Sequence, residues 1–266
     1  MPRCVPALAI ILGVLGASTC VAAADPLKPG DALNYTWTTS YSLKPPKDPE
    51  HKISDLDWAK MVWPMKDITA PGTFTLTVDG LDADGSAHAR TPAPSIRGGR
   101  GPDIELTVTP DGQIVPKVDY AMIRALGVDQ NHPGAMIPAG YLSWTPAEQS
   151  NFWAFVADRR MLLYNEVALG AGKKKAFKEG DAWRIVIPDQ NNQIVDFVFT
   201  GTQQLGGHDV AVLGFKTTRM TQNGVGPVSG TASYDLQRRL LVKLHEVGDD
   251  DTTSGVHSVT VDVVLQ

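Results

Sequence analysis

Cysteine is nearly absent from this 266-residue chain: there are two, Cys4 and Cys20, and both precede residue 25. Beyond that point no disulfide can form, so the fold must be held by its core alone. The roughly 240 residues that remain are ample for one large β domain or two smaller ones. Catalytic and cofactor motifs are missing as well. No serine stands between glycines at one-residue spacing, no His-Glu-x-x-His run occurs, and neither a Walker loop nor a Rossmann glycine pattern follows a strand. These gaps remove the readiest signs of a hydrolase, a zinc enzyme or a nucleotide-binding protein, although a convergent active site needs no local motif. His51, His88, His132 and His208 are isolated, with no i, i+4 pair, and His208 directly follows a Gly206-Gly207 turn where exposure is expected. The sequence therefore implies no metal and no cofactor. Positive charge is in short supply too: 24 Lys and Arg against 29 Asp and Glu give a net charge of −5, which becomes −6 if Arg3 is removed. That balance argues against nucleic acid and anionic membrane surfaces as partners. Within it, Arg97-Gly98-Gly99-Arg100-Gly101 reads as a flexible hairpin loop and not as an RNA-binding segment.

Long apolar runs are confined to the N-terminus. Arg3 supplies one positive charge, residues 5–19 are apolar or small throughout, and Ala22-Ala23-Ala24 offers the small residues that a signal peptidase reads. Residues 1–24 are read as a secretory signal, with the mature chain starting near Asp25 and having no membrane span of its own. A retained anchor, for which the run just reaches the roughly 20 residues required, and lipidation at Cys20, preceded by the poorly matching Ala17-Ser18-Thr19, are the alternatives. The expected location is secreted or periplasmic. Asn34-Tyr35-Thr36 is a glycosylation sequon, meaningful only in a host that uses it.

Most of the mature chain reads as strands. Phe74, Leu76 and Val78 alternate with polar residues, as do Ile104, Leu106 and Val108, and both runs look half buried. Asp82-Ala83-Asp84-Gly85, Pro110-Asp111-Gly112 and Gly206-Gly207 supply turn chemistry between such runs. Two short helices interrupt the pattern. Asp119 caps one that starts at Tyr120 and is stopped by Gly127; Thr145-Pro146-Ala147-Glu148 is a capping box opening the other, whose Phe152, Val156 and Leu163 fall on one face. The fold class is mainly β: an antiparallel twisted sheet or half-barrel with one or two short covering helices.

The order of landmarks repeats. Gly30-Asp31-Ala32-Leu33-Asn34-Tyr35 opens the mature chain, Gly180-Asp181-Ala182-Trp183 opens its second half, and each leads into a strand, a hairpin and a further strand pair. The organisation expected is a single β-rich domain over residues 25–266, with two diverged repeats, 25–118 and 180–266, joined by a partly helical segment, 119–179. The two openings, together with Tyr234-Asp235-Leu236 and Leu240-Leu241-Val242, resemble the periplasmic half-barrel proteins that include the lipoprotein carrier LolA and related lipid-binding factors. The resemblance implies an incomplete barrel around an apolar cavity, with a helix across its mouth; the Thr145 helix is then the lid.

Candidate sites come from these pieces. The insertion of residues 44–72 begins extended and polar, then gathers Trp58, Met61, Val62, Trp63 and Met65, which suit an apolar ligand or a partner surface. With Phe152, Trp153 and Val156 of the Thr145 helix, Trp58 and Trp63 form the candidate ligand set. In the C-terminal hairpin, placing Leu240, Val242 and Leu244 on the same side as Val259, Val261, Val263 and Leu265 pairs Leu244 with Val259 and Glu246 with His257. That pair is the alternative polar site: a carboxylate that orients an imidazole for base chemistry beside Ser258 or Thr253, or a plain cross-strand charge pair. The Asp-rich loop of residues 248–255 carries oxygen ligands suited to calcium but not the spacing of an EF-hand, and reads as a solvated turn. The function expected is an exported non-catalytic protein that binds an apolar molecule, such as a lipid or an acyl chain, or an envelope protein. A structural interaction module and a hydrolase at Glu246 and His257 are the alternatives.

Overall fold

The computed structural model describes residues 27–43, 68–94, 100–128, 137–138, 140–174, 176–187, 193–221, 224–249 and 256–266. The signal segment, Trp58, Trp63 and the centre of the Asp-rich loop lie outside them.

Among the described residues, eleven strands form one antiparallel sheet. In chain order they are β1 (Ala32–Leu43), β2 (Ile68–Leu81), β3 (Ala87–Pro92), β4 (Asp103–Val108), β5 (Ile114–Pro116), β6 (Ala182–Ile187), β7 (Gln193–Leu205), β8 (His208–Thr221), β9 (Gly224–Asp235), β10 (Leu240–Asp249) and β11 (Val256–Leu265). The spatial order, β5-β4-β3-β2-β1-β11-β10-β9-β8-β7-β6, is two meanders laid side by side and joined where β1 pairs β11. The sheet does not close, because β5 and β6 are its two ends.

The two Gly-Asp openings build the same turn. Lys28 N donates to Asp31 Oδ2 at 2.9 Å and Lys178 N to Asp181 Oδ2 at 3.0 Å. Gly30 and Gly180 both take a left-handed φ, +93° and +81°, and each donates its N–H to the facing strand, at Val78 and Phe199. Those strands answer in kind, Val78 N donating to the Asp31 carbonyl at 2.9 Å and Phe199 N to that of Asp181 at 2.8 Å. A bulge follows in each, between Val78 and Gly80 and between Phe199 and Gly201. Gly206 and Gly207, at φ +57° and +85°, make the two-residue turn expected between Leu205 and His208.

Three α-helices occur among the described residues, one more than expected. Helix α1 (Tyr120–Ala125) is capped by Asp119, and α2 (Pro146–Arg160) carries the Thr145–Glu148 capping box. Helix α2 runs past Asp158 to Arg160; Met161 then makes a short joint, and α3 (Leu162–Gly172) comes next. Leu163 therefore does not share a face with Phe152 and Val156. It belongs to α3 and packs in the main core, whereas Phe152 and Val156 pack with Tyr141. Leu-Leu-Tyr-Asn-Glu-Val-Ala-Leu-Gly-Ala-Gly is apolar nearly all round, the pattern of a helix enclosed on every side and not of an amphipathic cover.

The C-terminal hairpin adopts a register four residues away from the expected one: Leu244 pairs Val263, Glu246 pairs Val261, and Gly248 pairs Val259. Shifting by an even number keeps every apolar side chain on the same face, so the apolar alternation does not distinguish the two registers. What selects the observed one is the outer face, where His245 meets Asp262 at 2.8 Å, and the β1 neighbour, which holds Leu265 against Tyr35.

Candidate functional site

The concave face of the sheet is where a half-barrel protein has room for a ligand, and here α3 occupies it. Val167, Ala168 and Ala171 are fully buried, and the helix packs against β5, β6, β7, β9 and β10. Three consecutive polar residues show how completely it is surrounded, since successive side chains on a helix point about 100° apart. The Tyr164 hydroxyl lies 3.2 Å from that of Tyr35 on β1 and donates to the Leu241 carbonyl on β10 at 3.4 Å. Asn165 accepts from Ile114 N at 2.7 Å and donates to the Ile114 carbonyl at 2.8 Å, so its amide acts as one further strand residue beside β5. Glu166, buried, accepts from Gln193 Nε2 at 2.9 Å, and Gln193 in turn bonds Thr217 at 3.0 Å.

Burial pushes the Tyr35 phenol up to about 12 and raises Tyr164 as well, with the neighbouring Tyr35 adding to the effect. Both remain protonated hydrogen-bonding groups at neutral pH, which suits them to positioning the helix. Asn165→Ala should lower stability by about 2 kcal/mol, because it leaves both backbone groups of Ile114 without their side-chain partner at a sheet edge. Urea unfolding measures this, and a change below about 0.5 kcal/mol would mean that water replaces the amide without loss.

The candidate residues on α2 lie elsewhere. Phe152 and Val156 are buried, and Trp153 is half-buried, in a small aromatic cluster with Tyr141 and Trp144. Trp153 Nε1 donates to the Tyr141 hydroxyl at 2.7 Å, and Gln149 Nε2 donates to the carbonyls of Tyr141 and Trp144 at 3.1 Å. This cluster fastens the 3₁₀ turn Tyr141–Ser143 to α2, which itself packs beside β4 and β5 at one end of the sheet. Phe152, Trp153 and Val156 thus meet one another, but they pack against the chain's own loop, and Trp153 also packs against Ala93 and Ile104.

The alternative polar pair is not brought together. Glu246 is buried and faces Val261 and Gly230 across its two neighbouring strands, while His257 lies four positions away from Val261 along β11. The histidine that does acquire a buried carboxylate is His208, contrary to its expected exposure: its Nδ1 lies 2.6 Å from Asp235 Oδ2, and Asp235 is 1% exposed. The signal for this pairing is the β8–β9 register, Val210 opposite Asp235, which no local pattern reveals. His88 bonds Asp82 at 2.9 Å across the first hairpin turn. No group of three or more His, Cys, Asp or Glu placed to hold a metal occurs among the described residues.

The outer face carries the feature that sequence reasoning missed. Val186, Ile194 and Val198 are 46%, 41% and 40% exposed on the outer face of β6 and β7. Val186 and Ile194 are direct cross-strand partners on β6 and β7, and β6 is a terminal strand. The other terminus is treated differently: β5 is three residues long, ends in Pro116, and has Asn165 against it. No helix among the described residues is long and apolar enough to cross a membrane.

No protein-family model and no curated protein sequence matches the chain. Among solved structures it is similar to a candidate lipoprotein from Parabacteroides distasonis, at 12% identity and a TM-score of 0.30, covering 91% of this chain and 97% of that one. It is also similar to a candidate exported protein with a YmcC-like fold from Bacteroides fragilis, at 10% identity and a TM-score of 0.33, with the same coverage.

Proposed function

We propose that this chain is exported, is cleaved near Asp25, and works without catalysis by docking to an envelope protein through the outer face of β6 and β7. The observation that carries the reading is the occupation of the concave face by α3, because the space that a half-barrel carrier gives to an acyl chain is filled here by the protein's own helix. The docking surface is supported by the exposed Val186, Ile194 and Val198 beside the β6 edge, a place where strand addition supplies backbone hydrogen bonds and paired side chains supply selectivity. On the same reading the mature chain is one domain of two diverged repeats, 25–118 and 180–266.

Native electrophoresis of envelope extracts tests it. The parent chain should migrate in a complex larger than the mature polypeptide alone, and the double variant Val186→Lys, Ile194→Lys should return to monomer while its thermal melt stays unchanged. A parent that runs as a monomer, or a double variant that stays in the complex, removes the reading. A native mass spectrum that carries an extractable lipid restores the apolar-ligand carrier in its place.

A further inference from the structure

We propose that the small cavity at the C-terminal end of α3 binds an organic acid with a compact apolar body, such as an aryl- or alkyl-substituted carboxylate. The cavity encloses about 220 Å³, and its lining includes Lys174, Phe177, Phe199, Tyr234, Leu236 and Arg239. It lies below the roughly 300 Å³ at which sites for drug-sized ligands begin, so its occupant is small. Phe177 and Phe199, 5.2 Å apart between ring centres, supply apolar surface together with the half-exposed Leu236. Lys174 and Arg239 supply positive charge, the Tyr234 and Thr202 hydroxyls supply further polar groups, and no carboxylate is among the lining residues. Burial pushes the Tyr234 phenol up to about 12, so the hydroxyl keeps its proton in neutral solution.

Part of this donor set serves the fold. Lys174 holds Asp181 at 2.9 Å and lies over the Trp183 ring, while Arg239 donates to the Gly172 carbonyl at 3.2 Å, where a cation complements a helix C-terminus. Arg239 also bonds the Tyr234 hydroxyl, and these two tasks leave some of the five N–H donors of a guanidinium unused. The backbone marks Arg239 as more than a cap. Its φ is +58°, and it is the one non-glycine residue with a positive φ among the described residues.

The turn that occupies the same place in the first meander, between its fourth and fifth strands, has Gly112 at φ +83°. The two turns close differently, Gly112 N on the Thr109 carbonyl three residues back and Arg239 N on that of Asp235 four residues back, yet each places its left-handed residue just before the returning strand. The turn therefore needs a left-handed residue and no side chain, and glycine would meet the need without strain. Strain retained where glycine would serve points to use of the side chain, and Arg239 is among the residues that line this cavity.

Isothermal titration of the purified protein with 3-phenylpropionate and its neutral counterpart 3-phenylpropionamide tests the proposal. The acid should bind saturably and the amide about tenfold more weakly or worse, since a charge-assisted bidentate contact is lost. Arg239→Gly should lower the affinity for the acid by about tenfold, to the level of the amide, while relief of the left-handed backbone holds the melting temperature close to that of the parent. Equal binding of acid and amide, no saturation by either, or an Arg239→Gly variant that binds the acid as the parent does each overturns the proposal. Should that variant fail to fold, Leu236→Trp gives an independent reading: filling the cavity should abolish binding with the guanidinium in place, and unchanged affinity would sink the site.

Discussion

Gly112→Ala is expected to lower stability by about 3 kcal/mol, read as a fall in the urea midpoint at constant slope. Two penalties combine. A side chain at φ +83° costs about 1–2 kcal/mol in local backbone energy. The new Cβ would also fall on the carbonyl oxygen of Arg239 and within 3.1 Å of Leu240 Cα, a contact that overpacking data place at about 1–3 kcal/mol. Both neighbours are backbone atoms of the β9–β10 turn and cannot rotate away. The β4–β5 turn thus touches its counterpart across the molecule, which is how far the open sheet curls at this end. Gly85→Ala is the control: its φ is +88°, but nothing lies within 4 Å of the added methyl, so only the backbone penalty of about 1–2 kcal/mol applies. Equal losses for the two variants would show that the turns do not touch in solution.

That contact is of a kind that the sequence does not disclose. The Gly-Asp openings, the Gly206-Gly207 turn, the Asp119 cap and the Thr145 capping box are local devices, each contained within a few residues, and all of them were legible. The order of elements in the second meander, a strand, a hairpin and a further strand pair, was legible from the order of landmarks. Helix α3 was not recognised, because an apolar run shows no period with which to separate a buried helix from a buried strand. The hairpin register was missed because alternation is blind to even shifts. The Arg239 cavity has no local signal at all. It is assembled from the end of α3, from β7 and from the β9–β10 turn, segments that only the curl of the sheet brings together. One clue was within reach: an Asp-x-x-x-Arg turn in which a non-glycine residue directly precedes the strand, at the place where Gly112 stands in the other half.

Asp235→Ala is expected to cost about 3–4 kcal/mol, more than the loss of the Asn165 amide. One buried carboxylate holds three groups here. Its Oδ1 accepts from Gln237 N and Arg238 N, both at 2.8 Å, and its Oδ2 lies 2.6 Å from His208 Nδ1. The first two bonds set the β9–β10 turn, and the third ties the start of β8 to the end of β9. His208→Ala removes only the third and, with the ring 19% exposed, should cost about 1 kcal/mol. Asp235→Asn keeps an acceptor for the two turn N–H groups and is expected to recover about half of the loss. Urea unfolding of the three variants decides the matter: equal costs for Asp235→Ala and His208→Ala would mean that the turn bonds contribute nothing. The turn also fixes Arg239, whose N–H donates to the Asp235 carbonyl at 2.9 Å. If the left-handed arginine is held by the carboxylate as well as by that bond, Asp235→Asn, though folded, should bind 3-phenylpropionate more weakly than the parent, and His208→Ala should bind it equally well. The reverse order of affinities would place the control of Arg239 at the β8 end of the His208–Asp235 contact and not in the turn.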